Sequence, residues 1–270
     1  AVTFTNKAAD EMKERLAGTL GERSKGITAG TFHSICFSIL QERYKALDKV
    51  YDDESRGVIL SMLFPDKEEK EVKRLSAELK DYFESGQAEN PAVPAETERI
   101  AAAYRNFTLQ NGGIDLADII GSVVRLWKAE PQWLQACRER YNYIAVDELQ
   151  DINPLQYEFL KLLATGKNLF AIGDPDQSIY CFRGADIGLF FSFSKDFNAR
   201  KIALKYNYRS LGFIVEAAQN VIRNNSLRED IQLVPNKKCN GKISLFTAED
   251  EYKEAGFITS EIERLVGGFN

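Results

Sequence analysis

Two adjacent acids, Asp147 and Glu148, follow the compact apolar run YNYIAV at residues 141–146. A buried strand that ends in acids places them at the carboxyl edge of a sheet, where ligands bind in α/β proteins. One acid at such an edge can hold Mg²⁺, usually through water, and the next can orient or deprotonate an attacking water. The alternative is that Asp147 only caps the helix that follows, and the two residues alone leave both interpretations open.

Polar and aromatic residues also cluster in four other segments of the chain. These segments are Thr3-Phe4-Thr5-Asn6-Lys7-Ala8-Ala9, Thr31-Phe32-His33-Ser34, Ile172-Gly173-Asp174-Pro175-Asp176-Gln177-Ser178-Ile179-Tyr180-Cys181-Phe182-Arg183-Gly184 and Asn207-Tyr208-Arg209-Ser210. The acid pair itself continues as Asp147-Glu148-Leu149-Gln150-Asp151-Ile152-Asn153.

Taken in the order in which they occur along the chain, the five segments resemble motifs Ia, Ib, II, III and IV of the UvrD/Rep family of superfamily 1 DNA helicases. The resemblance runs from Ala1 to about Ser210 and is weaker over the tail. Leu149, Ile152 and Phe182 stand where the family more often has phenylalanine, threonine and tryptophan. The resemblance implies an α/β fold, namely a RecA-like (P-loop NTPase) parallel-sheet motor domain with a helical insertion domain.

The resemblance also implies a site for ATP and Mg²⁺. Asp147 and Glu148 would be the metal-linked acids, with Glu148 as the general base toward water. Gln177 would sense the γ-phosphate, and Arg209 would contact it. Tyr208 would lie against the adenine. An arginine on phosphoryl oxygens stabilises the charge that develops during transfer.

A DNA site is implied by the remaining positions. Its residues would be Phe4, Thr5, Asn6, Thr31, Phe32, His33, Tyr180, Phe182 and Arg183. Aromatic rings stack on every base alike, which suits a protein that moves along DNA without reading its sequence. For Phe4, Tyr180 and Phe182 the competing interpretation is packing in the protein core, and the single histidine, His33, is as compatible with a structural role.

The elements around these motifs follow from hydrophobic periodicity. The runs YNYIAVDE, NLFAIGD and RKIALKYNY predict strands of a parallel sheet, and GKISLFT (residues 241–247) predicts a further strand. Residues 6–17, 32–44 and 251–266 predict helices. Between residues 52 and 110 the chain is charged and helical, with Val72, Leu75, Leu79 and Phe83 at helical spacing and a break at ENPAVPAE (residues 89–96).

Net charge, cysteine spacing and the distribution of apolar residues each disfavour some classes of protein. The net charge is −5, which disfavours a clamp that holds duplex DNA by charge alone. Cys36, Cys137, Cys181 and Cys239 lie far apart, so they predict reduced thiols rather than zinc or disulfides. No run of eighteen apolar residues and no secretory leader occur, so we expect a cytoplasmic protein without a membrane span.

The phosphate-binding pattern G-x-x-x-x-G-K-[ST] does not occur in these residues, and the run Gly241-Lys242-Ile243-Ser244 is the nearest to it. We therefore expect a piece of a longer protein that does not hydrolyse ATP alone, with that loop and motifs V and VI elsewhere. The predicted domains are residues 1–40 (motor domain 1A, first part), 41–112 (helical insertion 1B), 113–202 (1A, second part) and 203–270 (start of motor domain 2A).

The function implied for the parent protein is an ATP-dependent helicase or translocase that moves 3′ to 5′ on single-stranded DNA. Its partners would be single-stranded DNA, single-strand/duplex junctions and repair or replication proteins. Two alternatives remain. The chain could belong to a helicase–nuclease subunit of the RecB/AddA type, or it could be a single-strand-binding module without hydrolysis.

Overall fold

The structure is a computed structural model that describes residues 1–86, 93–229, 231–237 and 241–267. The chain divides into two compact units, Ala1–Lys201 and Ile202–Asn270. The strands are β1 (Val2–Thr3), β2 (Gly30–Thr31), β3 (Lys49–Tyr51), β4 (Gly113–Asp115), β5 (Tyr143–Val146), β6 (Asn168–Ala171), β7 (Tyr206–Leu211) and β8 (Val234–Lys237). The helices are α1 (Asn6–Leu20), α2 (Phe32–Arg43), α3 (Asp53–Leu63), α4 (Glu69–Ser85), α5 (Ala95–Gln110), α6 (Ile119–Ala129), α7 (Pro131–Arg140), α8 (Pro154–Ala164), α9 (Ile187–Asp196), α10 (Gly212–Ile222) and α11 (Glu251–Val266).

A parallel sheet organises the first unit. Its described strands pair in the order β2-β1-β5-β6, and every pair is parallel. Val2 of β1 lies between Gly30 of β2 and Val146 of β5, while Val146 also pairs with Ala171 of β6. Parallel strands need long crossover connections, which helices supply here. This arrangement confirms the predicted α/β motor fold.

An apolar core packs between this sheet and three helices. Trp127 of α6 and Phe159 of α8 are both fully buried, and their rings stack with centroids 5.0 Å apart. Phe32, the first residue of α2, meets Phe159 edge-on at 6.0 Å. Burying an aromatic side chain of this size contributes on the order of 1.5–3 kcal/mol to folding. Large rings on α2, α6 and α8 thus share one core with the strand residues Val2, Ile144 and Val146.

A second core belongs to the predicted helical block, formed by α3, α4 and α5. Val72, Leu75, Leu79 and Phe83 are all buried along one face of α4, as their spacing predicts. The chain enters and leaves this block through β3 and β4, which pair in parallel from Lys49↔Gly113 to Tyr51↔Asp115. The helical insertion is therefore joined to the rest of the unit by a two-stranded connection.

Two predicted strands are wrong. Of the run RKIALKYNY, residues 201–205 form no strand and β7 begins only at Tyr206, where it pairs with β8 in the second unit instead of with β5 and β6. Residues 241–247 likewise form no strand in the described part of the chain. Both runs are apolar, but a strand forms only where another strand supplies hydrogen bonds along its length. The carbonyl of Lys205 accepts from the N–H of Val234 in β8 at 2.7 Å, but no described strand pairs with residues 201–204 or 241–247.

The other predicted helices are present, with ends that agree with the prediction to within three residues. The helices expected at residues 32–44 and 251–266 correspond to α2 and α11, and α1 extends past residue 17 to Leu20. The expected break at residues 89–96 falls largely outside the described residues, as does Cys239; α5 begins behind Pro94. No helix in the described ranges is both long enough and apolar enough to cross a bilayer.

A buried ion pair fixes the insertion to its connection. The carboxylate of Asp115 accepts hydrogen bonds from Nε and Nη2 of Arg56, both at 2.8 Å, and from the hydroxyl of Tyr104 at 2.8 Å. The backbone N–H of Ala117 donates to it as well, at 2.9 Å. Arg56 and Asp115 are each 1% exposed. Four donors around one carboxylate offset the loss of its hydration.

Replacing Asp115 with asparagine should strongly destabilise the first unit. The guanidinium of Arg56 would remain buried beside a neutral group, and breaking a buried ion pair in this way costs about 3–5 kcal/mol. Urea unfolding followed by tryptophan fluorescence measures the change. The matched control is Lys13→Met, which removes the exposed Lys13–Asp10 pair and should leave the midpoint unchanged. An equal effect of the two substitutions would contradict this assignment.

Candidate functional site

The acid pair lies at the carboxyl end of β5, held between two neighbouring strands. The N–H of Asp147 donates to the carbonyl of Val2, and the N–H of Ile172 donates to that of Val146, both at 2.9 Å. Asp147 is half-buried and Glu148 is exposed. Glu148 has a left-handed backbone, with φ 54° and ψ 49°. A residue with a side chain adopts this conformation at a cost of about 1–2 kcal/mol, and such residues cluster at functional sites.

A buried glutamine, Gln150, connects the acid pair to the next loop. Its Nε2 donates to Oε2 of Glu148 at 2.6 Å, and its Oε1 accepts from the N–H of Asp174 at 3.0 Å. Oδ2 of Asp174 in turn accepts from Nε2 of Gln177 at 2.8 Å. The hydrogen bonds therefore form a continuous path from Glu148 to Gln177, two residues that the sequence analysis assigned to ATP. Gln150 belongs to the segment that resembles motif II, but a glutamine at this position does not by itself predict hydrogen bonds to both Glu148 and Asp174.

Gly173 makes this connection possible. A Cβ on this residue would stand 2.8 Å from Oε1 of Gln150 and 3.1 Å from Cβ of Leu149. These distances are shorter than side-chain contacts allow, so any larger residue would displace Gln150. The loop after β6 can approach the loop after β5 closely only because residue 173 is glycine.

The rest of the acid-pair segment has structural roles. Asn153 begins α8 with a capping box, since its side chain accepts from the N–H of Gln156 and the Gln156 side chain accepts from the N–H of Asn153. Asp151 is buried, and its Oδ1 has no hydrogen-bond partner in the described part of the chain. Burial, followed by the charge of Glu148, raises the pKa of Asp151 to about 6.

Three predicted DNA-contacting rings form one row beside this network. Phe4 stacks on Tyr180 with ring centroids 5.2 Å apart and planes 28° apart, and Tyr180 lies 6.0 Å from Phe182. Phe182 is 78% exposed, which excludes the interpretation that it is a core residue. Arg183 ends the short 3₁₀ helix Cys181–Arg183, which also carries Phe182, but the side chain of Arg183 lies outside the described part of the structure.

An open groove of about 890 Å³ runs beside Phe4 and is also lined by four other predicted DNA residues, Thr5, Asn6, Thr31 and His33. Thr5 and Thr31 each cap a helix, accepting from the N–H of Ala8 at 3.1 Å and of Ser34 at 3.2 Å, respectively. Asn6 is exposed, and burial lowers the pKa of half-buried His33. These four residues and Phe4 share the wall of the groove that comes from β1, α1, β2 and α2.

Phe32 corrects the sequence analysis. Its ring is only 3% exposed and packs on Phe159 in the core. A ring enclosed in this way has no face left for a DNA base, so the expected contact between Phe32 and DNA is contradicted. Phe32 and His33 are adjacent at the start of α2, but their side chains have different surroundings. Phe32 belongs to the core, whereas His33 lines the groove.

Tyr208 and Arg209 lie on β7 of the second unit. Tyr208 is 65% exposed and neighbours the ring of Tyr206 at 6.4 Å. The side chain of Asn207 accepts from the N–H groups of Arg209 and Ser210, at 3.1 and 2.8 Å, and so fixes the local backbone. Arg209 is exposed, and its guanidinium has no hydrogen-bond partner among the described residues. It is chemically free to bind an anion.

A magnesium ion would find suitable donors at the end of β5. The described residues contain no cluster of three or more protein ligands of the kind that holds a metal by itself. Magnesium bound with a nucleotide keeps several waters and needs only one or two carboxylates besides the phosphate oxygens. The adjacent carboxylates of Asp147 and Glu148 match that donor set.

The raised pKa of Asp151 predicts a pH dependence of stability. The unfolded chain releases this proton near about pH 3.9, but the folded chain holds it until about pH 6. The folded state thus binds more proton between these values, and the stability that the group contributes falls as the pH rises through them. Asp151→Asn cannot ionise, so its urea midpoint relative to the original chain should rise from pH 4.5 to a plateau near pH 7. A difference that stays constant with pH would contradict the assignment.

Comparisons with known proteins agree with this geometry. Residues 1–198 match the UvrD/REP helicase N-terminal domain, and residues 202–270 match the UvrD-like helicase C-terminal domain. The chain is 34% identical to a probable DNA helicase II homolog of Mycoplasma capricolum, over 98% of this chain and 40% of that protein. It is 35% identical to the ATP-dependent DNA helicase PcrA of Staphylococcus aureus and to that of Bacillus subtilis, over 97% and 98% of this chain and 38% of each relative. The chain therefore spans about two fifths of the length of these relatives, and it belongs to the UvrD/Rep family of helicases.

Proposed function

We propose that this chain is part of an ATP-driven DNA helicase or translocase that moves 3′ to 5′ along single-stranded DNA. The main support is the hydrogen-bonded path from Glu148 through Gln150 and Asp174 to Gln177. Three and five residues after Gln177 come Tyr180 and Phe182, two rings of the aromatic row. A change in the hydrogen-bond partners of Glu148 can therefore alter the position of the rings through this short path. Binding of DNA at the rings can alter the position of Glu148 through the same path.

On the nucleotide side, Glu148 would act as the general base that orients the attacking water, and Asp147 would hold Mg²⁺. The ion, when bound with ATP, would neutralise charge on the phosphate oxygens. Gln150 would hold the Glu148 carboxylate in place, and Gln177 would respond to the γ-phosphate. Arg209 would stabilise the charge on that phosphate, while Tyr208 would pack against the adenine.

On the DNA side, Phe4, Tyr180 and Phe182 would stack with bases of one strand, and Thr5, Asn6, Thr31, His33 and Arg183 would lie beside it. Stacking is independent of sequence and is worth about 1–3 kcal/mol per base. With a chain of net charge −5, we expect few phosphate contacts, on the order of two to four, and hence a shallow salt dependence. We further propose that the parent protein binds junctions between single-stranded and duplex DNA, interacts with repair or replication proteins, and is located in the cytoplasm.

The first test uses a longer protein that contains these residues, because we propose that the 270 residues alone do not hydrolyse ATP. Glu148→Gln should leave ATP binding nearly intact and slow phosphate release by about 10²-fold or more, with and without DNA, since the water loses its base. Gln150→Leu should slow release without DNA less than Glu148→Gln does, because the base is still present but less firmly held, and it should lose the stimulation by DNA, because the path to the rings is cut.

Phosphate release and ATP affinity are measured for both variants on the same preparations. Near-normal turnover in Glu148→Gln would remove Glu148 from the role of base. Full DNA stimulation in Gln150→Leu would show that the hydrogen-bonded path does not carry the coupling.

Phe182→Ala tests the DNA side. The affinity for single-stranded DNA should fall by about 1–2 kcal/mol, and the salt dependence should not change, because no phosphate contact is lost. The melting temperature should also stay constant, since the ring is 78% exposed.

The matched control is Tyr143→Ala, because Tyr143 is 80% exposed and stands at the start of β5, the end of the strand away from the acid pair. It should leave DNA affinity unchanged. Equal losses in both variants, or a lower melting temperature with unchanged DNA affinity in Phe182→Ala, would reject the stacking assignment.

A further inference from the structure

The groove beside Phe4 has a second wall, to which neither the motifs nor the proposed function assigns a role. The helical insertion supplies this wall: Asp52, Asp53 and Glu54 come from the start of α3, and Lys80 and Glu84 come from α4. The acids Asp52, Asp53 and Glu54 are exposed. The insertion therefore faces the proposed DNA-binding wall with a row of carboxylates.

These carboxylates are only partly neutralised. Asp53 accepts from Nη1 of Arg56 and from Nζ of Lys80, both at 2.9 Å, so the two cations of the groove lining are bound to the same acid. Arg56 is also committed to Asp115. Among the described residues, Asp52 and Glu54 have no ion-pair partner. His33 across the groove adds no positive charge near neutral pH, because burial lowers its pKa.

The two walls therefore favour opposite parts of a DNA strand. Phe4, stacked in the aromatic row, offers a ring to bases, which are uncharged. The carboxylates of Asp52 and Glu54 repel phosphates, by about 1 kcal/mol for a pair of charges 4 Å apart in water and more where solvent is partly excluded. A strand in this groove would gain by turning its bases inward and would lose by bringing its phosphates against α3.

We propose that Asp52 and Glu54 form a repulsive wall that keeps the sugar–phosphate backbone out of the groove and so orients a single strand with its bases toward Phe4. The inference rests on the proposed DNA binding and goes beyond it by assigning an orienting role to the insertion. Repulsion of one arrangement contributes to specificity as attraction to another does. It also weakens the grip on the strand, which suits a strand that must slide.

The test measures binding of oligothymidylate to the 270-residue chain and to its Asp52→Asn/Glu54→Gln variant. Asp52 caps α3 by accepting from the N–H of Ser55 at 2.9 Å, and asparagine is an equally good cap, so the helix is retained. The variant should bind about three- to tenfold more tightly at low salt, and the gain should shrink as salt screens the charges. With a methylphosphonate strand, which has no backbone charge, the two chains should bind alike.

The control variant, Glu22→Gln/Glu139→Gln, removes the same charge from two exposed acids that do not line the groove. An equal gain in this control would overturn the proposal in favour of a general net-charge effect. So would a gain that persists with the methylphosphonate strand. If a lysine-rich peptide bound the original chain and lost affinity in the Asp52→Asn/Glu54→Gln variant while DNA binding stayed constant, the groove would be a peptide site and the proposal would be wrong.

Failure of the proposed function gives a different result. A chain that binds no oligothymidylate at any salt concentration would overturn the DNA-binding proposal together with this inference. A chain that binds DNA through Phe182 but shows no difference on removal of Asp52 and Glu54 would overturn the inference alone.

Discussion

Parallel pairing of four short strands is the constraint on which the site of the first unit depends. Parallel strands end at the same edge of a sheet. Phe4 follows β1, His33 follows β2, the acid pair follows β5, and Gly173 and Asp174 follow β6. These segments are separated by up to 170 residues in sequence but share one edge in space. Without the register Val2↔Val146↔Ala171, they would not meet.

Hydrogen bonds of Gln150 then connect the loop after β5 to the loop after β6. Gln150 is 1% exposed and uses both ends of its amide, one on Glu148 and one on the backbone of Asp174. A buried amide satisfied in this way holds its neighbours firmly, because losing either bond would leave a polar group without water. The path continues to Gln177 through a side-chain bond, and the row of rings begins three residues later. The residues that we propose for the nucleotide and those that we propose for DNA in the first unit thus belong to one connected structure.

The helical insertion has its own core and its own electrostatic character. It is joined to the rest of the unit by β3 and β4, by the buried pair of Arg56 and Asp115, and by Asp118, which pairs with Arg105 of α5 and Arg125 of α6. Arg56 has a double role, because it also binds Asp53, an acid of the groove wall. The same arginine therefore stabilises the insertion and neutralises part of its negative wall, leaving Asp52 and Glu54 to act on whatever enters the groove.

Features that depend on local pattern could be predicted from the residues alone. Apolar runs followed by acids or glycines marked β5 and β6, and the helical spacing of Val72, Leu75, Leu79 and Phe83 marked the buried face of α4. Motif order was sufficient to identify the family, which the comparisons confirm. The sequence did not decide which apolar runs become strands, because residues 201–204 and 241–247 look like strands but pair with no described strand.

Only the folded chain shows which of several similar residues is exposed and which is buried. Phe4, Phe32 and Phe182 all stand in quoted motifs, but Phe32 is enclosed by α8 and only Phe182 is largely exposed. The bridging role of Gln150, and the lack of an ion-pair partner for Asp52 and Glu54 among the described residues, are likewise results of folding. Each depends on contacts between residues that are distant in sequence, and no local pattern of residue types encodes which partner a folded chain will bring near.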